Sequence, residues 1–83
     1  MNYVYVIYTK PEDKFYIGYT QDIERRTKEH KVGNTHTTKR YQDKDVIFYE
    51  AFVNEEDARR REKYFKTTKG KRALRIMLKE TLE

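Results

Sequence analysis

The chain is 83 residues long, carries a formal net charge of +5 with a pI near 9.4, is 36% apolar and has no cysteine. That length leaves room for one domain spanning residues 1–83, and the missing thiols exclude disulfides and thiolate metal sites. The excess of positive charge points to polyanions, nucleic acid ahead of an anionic membrane.

Taken in chain order, Met1 to Tyr8 alternate tyrosine with aliphatic residues, without a basic leader and far too short to cross a bilayer. Residues 3–8 are therefore a predicted strand, and a cytoplasmic protein without membrane association is expected. Lys10-Pro11-Glu12-Asp13 has turn chemistry, and residues 14–19 resume the strand pattern, so residues 3–19 read as a hairpin. A helix starts at Thr20 or Asp22, either of which can cap free amides, and runs to His30 before Gly33-Asn34. Residues 31–44 form a polar loop, and Asp45 to Val53 is a third strand. Asn54 caps a second helix, with Glu55, Glu56 and Asp57 in the turn where the helix dipole favours acids. That helix continues to about Lys66. Gly70 is expected to break it, and Ala73 to Leu82 forms a last helix with Leu74, Met77, Leu78 and Leu82 as its apolar stripe. The predicted fold is α+β, a three-stranded sheet flanked by helices in the order ββαβαα.

Several polar residues occupy faces that should be apolar. Ala58, Glu62 and Phe65 fall at i, i+4 and i+7, so the stripe that docks on the sheet carries a carboxylate. Between Ala58 and Lys79, a stretch of 22 residues, ten are Lys or Arg and Glu62 is the only acid. Glu62 either meets a metal ion against phosphate or turns to the edge and pairs with Lys66 at i+4, worth ~0.3–0.5 kcal/mol. In the first helix Arg26 and His30 share the side of Ile23. A guanidinium on that inner face suits a phosphate, its alternative being a pair with Glu50 or Glu62. His30 alone reads as a helix-end residue bonding a carbonyl. If Thr9 pairs with Lys14, then Tyr5 faces Gly18 and Ile7 faces Tyr16, and Tyr3, Tyr5, Tyr16 and Gly18 share one face. Gly18 opposite Tyr5 leaves a gap for a phenol or a phosphate.

These residues resemble the GIY-YIG nucleases, and in particular their small stand-alone, single-domain branch. Tyr16-Ile17-Gly18 is the second signature as it stands, and Tyr3-Val4-Tyr5 occupies the place of the first, with Tyr3 where the motif has glycine. The stretch from Tyr16 to His30 is similar to the family's strand-to-helix segment, its arginine falling on Arg26 and its histidine on His30. The segment from Ala58 to Lys66 is similar to the metal-ligand helix, with Glu62 as the glutamate. No asparagine follows Asn54, so the downstream asparagine of larger members is absent, its place empty or taken by a residue such as Thr67 or Lys69.

The resemblance implies an endonuclease that hydrolyses phosphodiester bonds, with DNA as partner and Mg2+ or Mn2+ as cofactor held by Glu62. Arg26 would offset charge on the phosphate oxygens, and Tyr5 or Tyr16 would take the proton from water, with His30 assisting. Lys39, Arg40, Lys69, Lys71 and Arg72 would contact backbone phosphates, which position a substrate without reading its sequence. The expectation is that Glu62, Arg26 and the two phenols converge on one pocket. The competing readings are a nucleic-acid-binding module of the same fold without catalysis, supported by the missing asparagine, and a basic domain that docks an acidic protein.

Overall fold

The computed structural model describes residues 1–28 and 45–83. Three strands form one antiparallel sheet: β1 (Asn2–Thr9), β2 (Lys14–Thr20) and β3 (Val46–Phe52). The strand order β2-β1-β3 puts β1 in the middle, hydrogen-bonded on both sides. The hairpin register is the one supposed from the sequence, with Thr9 opposite Lys14, Ile7 opposite Tyr16 and Tyr5 opposite Gly18. The turn closes through the Asp13 amide to the Lys10 carbonyl at 3.1 Å. Asp13 sits at φ 53°, a left-handed conformation that aspartate tolerates better than most side chains. Tyr49 of β3 lies opposite Tyr5, and the register shifts between Val6 and Ile7.

Alternation along β1 divides the sheet into two faces. Val4 and Val6 point to one face, where they meet Phe15, Ala58, Phe65, Leu74 and Leu78 in the hydrophobic core. Val4, Val6, Phe65 and Leu74 are fully buried. Each such side chain contributes roughly 1.5–3 kcal/mol by leaving water, so a handful supplies most of the driving force in a domain this small. Tyr3, Tyr5, Ile7 and Thr9 point to the other face.

Three helices complete the order ββαβαα. The first, α1, is described over residues 23–28. Its start is fixed by Asp22, whose carboxylate accepts the Arg25 amide at 3.0 Å. Helix α2 (Glu55–Phe65) is capped by Asn54 Oδ1, which accepts the Glu56 amide at 2.8 Å, and carries Glu55, Glu56 and Asp57 in its first turn. Ala58 and Phe65 are its buried contacts with the sheet.

The last helix departs from the sequence expectation. Helix α3 is Thr68–Met77, beginning five residues before Ala73, and Gly70 lies inside its first turn instead of breaking α2. Thr67 is the device that separates the helices: its hydroxyl donates to the Tyr64 carbonyl at 2.6 Å and accepts the Gly70 amide at 3.0 Å. Gly70 is buried because α3 crosses the end of α2 there; a Cβ would overlap the Tyr64 carbonyl oxygen. The glycine is a close approach of two backbones. Leu74 and Leu78 form the buried stripe with Leu82 packed against it, whereas Met77 is 43% exposed and stands outside the core. His30, Lys39, Arg40 and the 31–44 loop lie outside the described residues.

Candidate active site

The site begins with Gly18. Because β2 carries no side chain at that position, the ring of Tyr5 lies across the strand; a Cβ on Gly18 would overlap Tyr5 Cζ and Oη. Antiparallel pairing sets this up, since Tyr5 and Gly18 are direct partners in the ladder. The Arg26 guanidinium comes from α1 and sits over the Tyr5 ring, 5.9 Å from its centroid. Arg26 Nε is buried from water. So strand, edge glycine and first helix together hold a phenol and a guanidinium on one face of the sheet.

Tyr16 shares that face, two residues before Gly18, and is 46% exposed. Its hydroxyl donates to Glu12 Oε1 in the turn at 3.1 Å. That hydrogen bond, reinforced by the negative charge and a little desolvation, raises the Tyr16 pKa above the ordinary tyrosine value of 10.0. Held in this way, Tyr16 is a proton donor at neutral pH.

Glu62 comes from a different layer. It lies on α2, which packs against the Val4–Val6 face, and its side chain is 15% exposed. One oxygen takes Lys66 Nζ at 3.1 Å, the i+4 pair that helical spacing offers, and the other takes Arg59 Nη1 at 3.5 Å. The two partners differ in rigidity. Lys66 is 55% exposed and exchangeable, while the Arg59 guanidinium stacks on the Tyr19 ring at 3.7 Å. Tyr19 is itself tied down by donating its hydroxyl to Asn2 Oδ1 at 2.6 Å. This chain of contacts places the Glu62 group beside β2, one residue from Gly18 but on the opposite face of that edge strand. Glu62 therefore lies across the β2 edge strand from Tyr5, Tyr16 and Arg26, and the expected single pocket holding all four is not what the described residues form.

Among the described residues no group of three or more His, Cys, Asp or Glu side chains lies together to cage a metal ion. A single, mostly sheltered carboxylate still fits a hard divalent ion of the Mg2+ kind, which keeps several waters and takes other oxygens from a phosphate. Lys69, Lys71 and Arg72 project from the first half of α3 and are exposed, so they are available to a polyanion. Arg59 and Tyr19 escape sequence reasoning. The Arg59-to-Glu62 spacing of i, i+3 was visible, but three consecutive arginines made it ambiguous. In the structure Arg60 pairs with Asp57 at 3.1 Å and Arg61 grips Glu50 with two bonds of 2.8 and 3.2 Å. Glu50 is thus the partner of Arg61.

Residues 1–75 match the GIY-YIG catalytic domain. The chain belongs to the GIY-YIG family, whose members are generally endonucleases that act on nucleic acid with divalent metals. It is also 30% identical over 84 residues to a UPF0213 protein of Clostridium perfringens (strain 13 / Type A), covering 100% of this chain and 89% of that relative. No solved structure matches the chain significantly. Among the described residues no helix is long and apolar enough to cross a membrane.

Proposed function

We propose that this protein is a divalent-metal-dependent endonuclease that hydrolyses phosphodiester bonds in DNA, with Tyr5, Tyr16, Arg26 and Glu62 at its site. The observation that carries the reading is the Tyr5–Gly18–Arg26 arrangement: a phenol and a half-buried guanidinium held on one face of a sheet, at the positions where the family's motifs fall. Arg26 offers planar donors to the non-bridging oxygens of a phosphate and stabilises the charge that grows on them. Tyr5, lying on Gly18 beside Arg26, is the better placed phenol to act on the attacking water, taking its proton as the phenolate after its own proton has passed to solvent. Tyr16, held protonated by Glu12, donates to an oxygen of the substrate or water and orients it. Glu62 would hold Mg2+ or Mn2+, with Lys66 yielding its place and Arg59 keeping the carboxylate aimed. When bound, such an ion supplies Lewis-acid stabilisation of the leaving oxygen. Lys69, Lys71 and Arg72 bind backbone phosphates without reading bases. The resemblance gives His30 a supporting part in the proton transfer, and Lys39 and Arg40 are further basic candidates for backbone phosphates. With no helix among the described residues evidently free to enter a groove, weak base specificity is expected.

The test is incubation of the purified protein with single-stranded, duplex and branched DNA in Mg2+, then in EDTA. Cleavage is expected with the metal alone. Arg26→Ala should lower the rate ~10²–10³-fold, the usual loss for one such donor, and Glu62→Gln should abolish metal-dependent cleavage, both with DNA binding kept. Binding without cleavage on every substrate would instead establish the module that has lost its chemistry. The absence of a downstream asparagine favours that second reading.

A further inference from the structure

The site face of the sheet continues past Tyr5 onto β3. Tyr49 is the direct ladder partner of Tyr5, so it projects from the same face one strand further on. It stands on an edge strand and is 52% exposed. Its ring is not loose: Tyr3 meets it in a T-shaped contact, with centroids 5.7 Å apart and planes at 70°. Tyr3 is half-buried and anchors that contact from the central strand. Two residues along β3 on the same face, Ala51 is also exposed and offers only a methyl group. A fixed, exposed aromatic ring therefore stands beside a shallow floor, adjacent to the phenol and guanidinium proposed to engage a phosphate.

Other features carry less. The open groove lined by Phe52, Asp57, Arg60, Arg61 and Tyr64 has both of its arginines neutralised by Asp57 and Glu50. Among the described residues Tyr49 has no such charged partner, and its ring contact is Tyr3.

We infer that Tyr49, braced by Tyr3, is a stacking platform for an unpaired base next to the phosphate held at Tyr5 and Arg26, which makes the substrate a single strand or a duplex with a locally opened nucleotide. The inference rests on the nuclease reading for its choice of occupant. Neighbouring strands lie about 4.8 Å apart, so Tyr49 is within one nucleotide's reach of Tyr5. Stacking needs only the flat face of a base, and it is therefore tolerant of sequence. A base paired inside a duplex keeps both faces covered by its neighbours and gains nothing from the platform.

The experiment uses the full chain in EDTA with a fluorescein-labelled single strand and the blunt duplex of the same sequence. Removing one base–aromatic stack should weaken single-strand binding roughly tenfold in Tyr49→Ala, with duplex binding unchanged within about twofold. Tyr49→Phe keeps the stack and should match the parent protein on both probes. A single strand containing 2-aminopurine should be quenched by the parent protein and by Tyr49→Phe, and not by Tyr49→Ala. Equal losses on both probes, no loss on either, or a parent protein that binds neither would each overturn the platform. Quenching by Tyr49 without cleavage in Mg2+ would defeat the nuclease reading alone. Cleavage of single strands by Tyr49→Ala with an unchanged KM would defeat the platform alone.

Discussion

The two faces of the sheet use glycine in opposite ways. On the core side Gly70 lets the backbone of α3 rest against the end of α2, where the obstructing atom is a main-chain carbonyl that cannot turn away. On the site side Gly18 lets Tyr5 lie across β2, where the obstructing atoms are the tip of a side chain with two free torsions. The first glycine serves the frame and the second serves the placement of one phenol. Stability and activity should therefore separate cleanly between the faces.

Gly70→Ala is the strongest way to break that contrast. Overpacking against rigid neighbours typically costs ~1–3 kcal/mol or more, well above the ~1 kcal/mol that alanine returns in helix propensity. For a domain of this size that translates into a Tm lower by roughly 10 °C, readable by circular dichroism. An unchanged Tm would mean that the α2–α3 crossing is looser than described.

Gly18→Ala sharpens the other half. Relief of the glycine's strand penalty, ~0.5–1 kcal/mol, offsets the rotation of Tyr5, so Tm should move by only a few degrees. Cleavage should nevertheless fall on the order of 10²-fold, the usual consequence of displacing a reacting group by about an ångström. Loss of fold and activity together would show that the Tyr5 ring supports the sheet as well as the site.

The smallest effect concerns the hairpin turn. Tyr8 donates to Asp13 at 2.6 Å, and Arg75 of α3 bonds the same carboxylate at 3.1 Å. The Tyr8 hydrogen bond, with Arg75, lowers the Asp13 pKa below 3.8; the same bond to Asp13 raises Tyr8 above 10.0. The acid favours folding above pH 3.8, and that contribution disappears as pH falls through its depressed pKa. The phenol favours folding below pH 10, and its share disappears as pH rises through the raised value. Asp13 is exposed and the half-buried Tyr8 reaches it through a hydroxyl at the surface, so the slopes are shallow. Asp13→Asn tolerates the same left-handed backbone and should flatten both limbs of a Tm-versus-pH profile, with little change at neutral pH.

The legibility of this chain follows the range of the interactions. The hairpin register could be read because four turn residues fix it locally, and with it came the shared face of Tyr3, Tyr5, Tyr16 and Gly18. Asn54 was readable as a cap because its acceptor serves an amide two residues away. Gly70 was misread because a glycine that ends a helix and one that lets two helices touch look alike until a partner is known. Met77 was misplaced for a related reason: α3 starts at Thr68, so its buried side runs through Leu74 and Leu78 and leaves Met77 at the surface. Arg59, Arg60 and Arg61 are chemically equivalent in the sequence, and only tertiary placement sends them to Tyr19, Asp57 and Glu50 respectively. The side of the sheet on which Glu62 docks was equally out of reach, because it depends on how α2 crosses β1.

The clasp between Arg75 and Asp13 joins residues 62 positions apart. It ties the far end of the polypeptide to the same tip that carries Glu12, the anchor of Tyr16. A truncation that stopped short of Arg75 would retain Tyr5, Tyr16, Arg26 and Glu62, yet it would unfasten the hinge pin of the hairpin. The closing helix thus braces, from the other end of the fold, the turn whose Glu12 holds the Tyr16 hydroxyl of the proposed site.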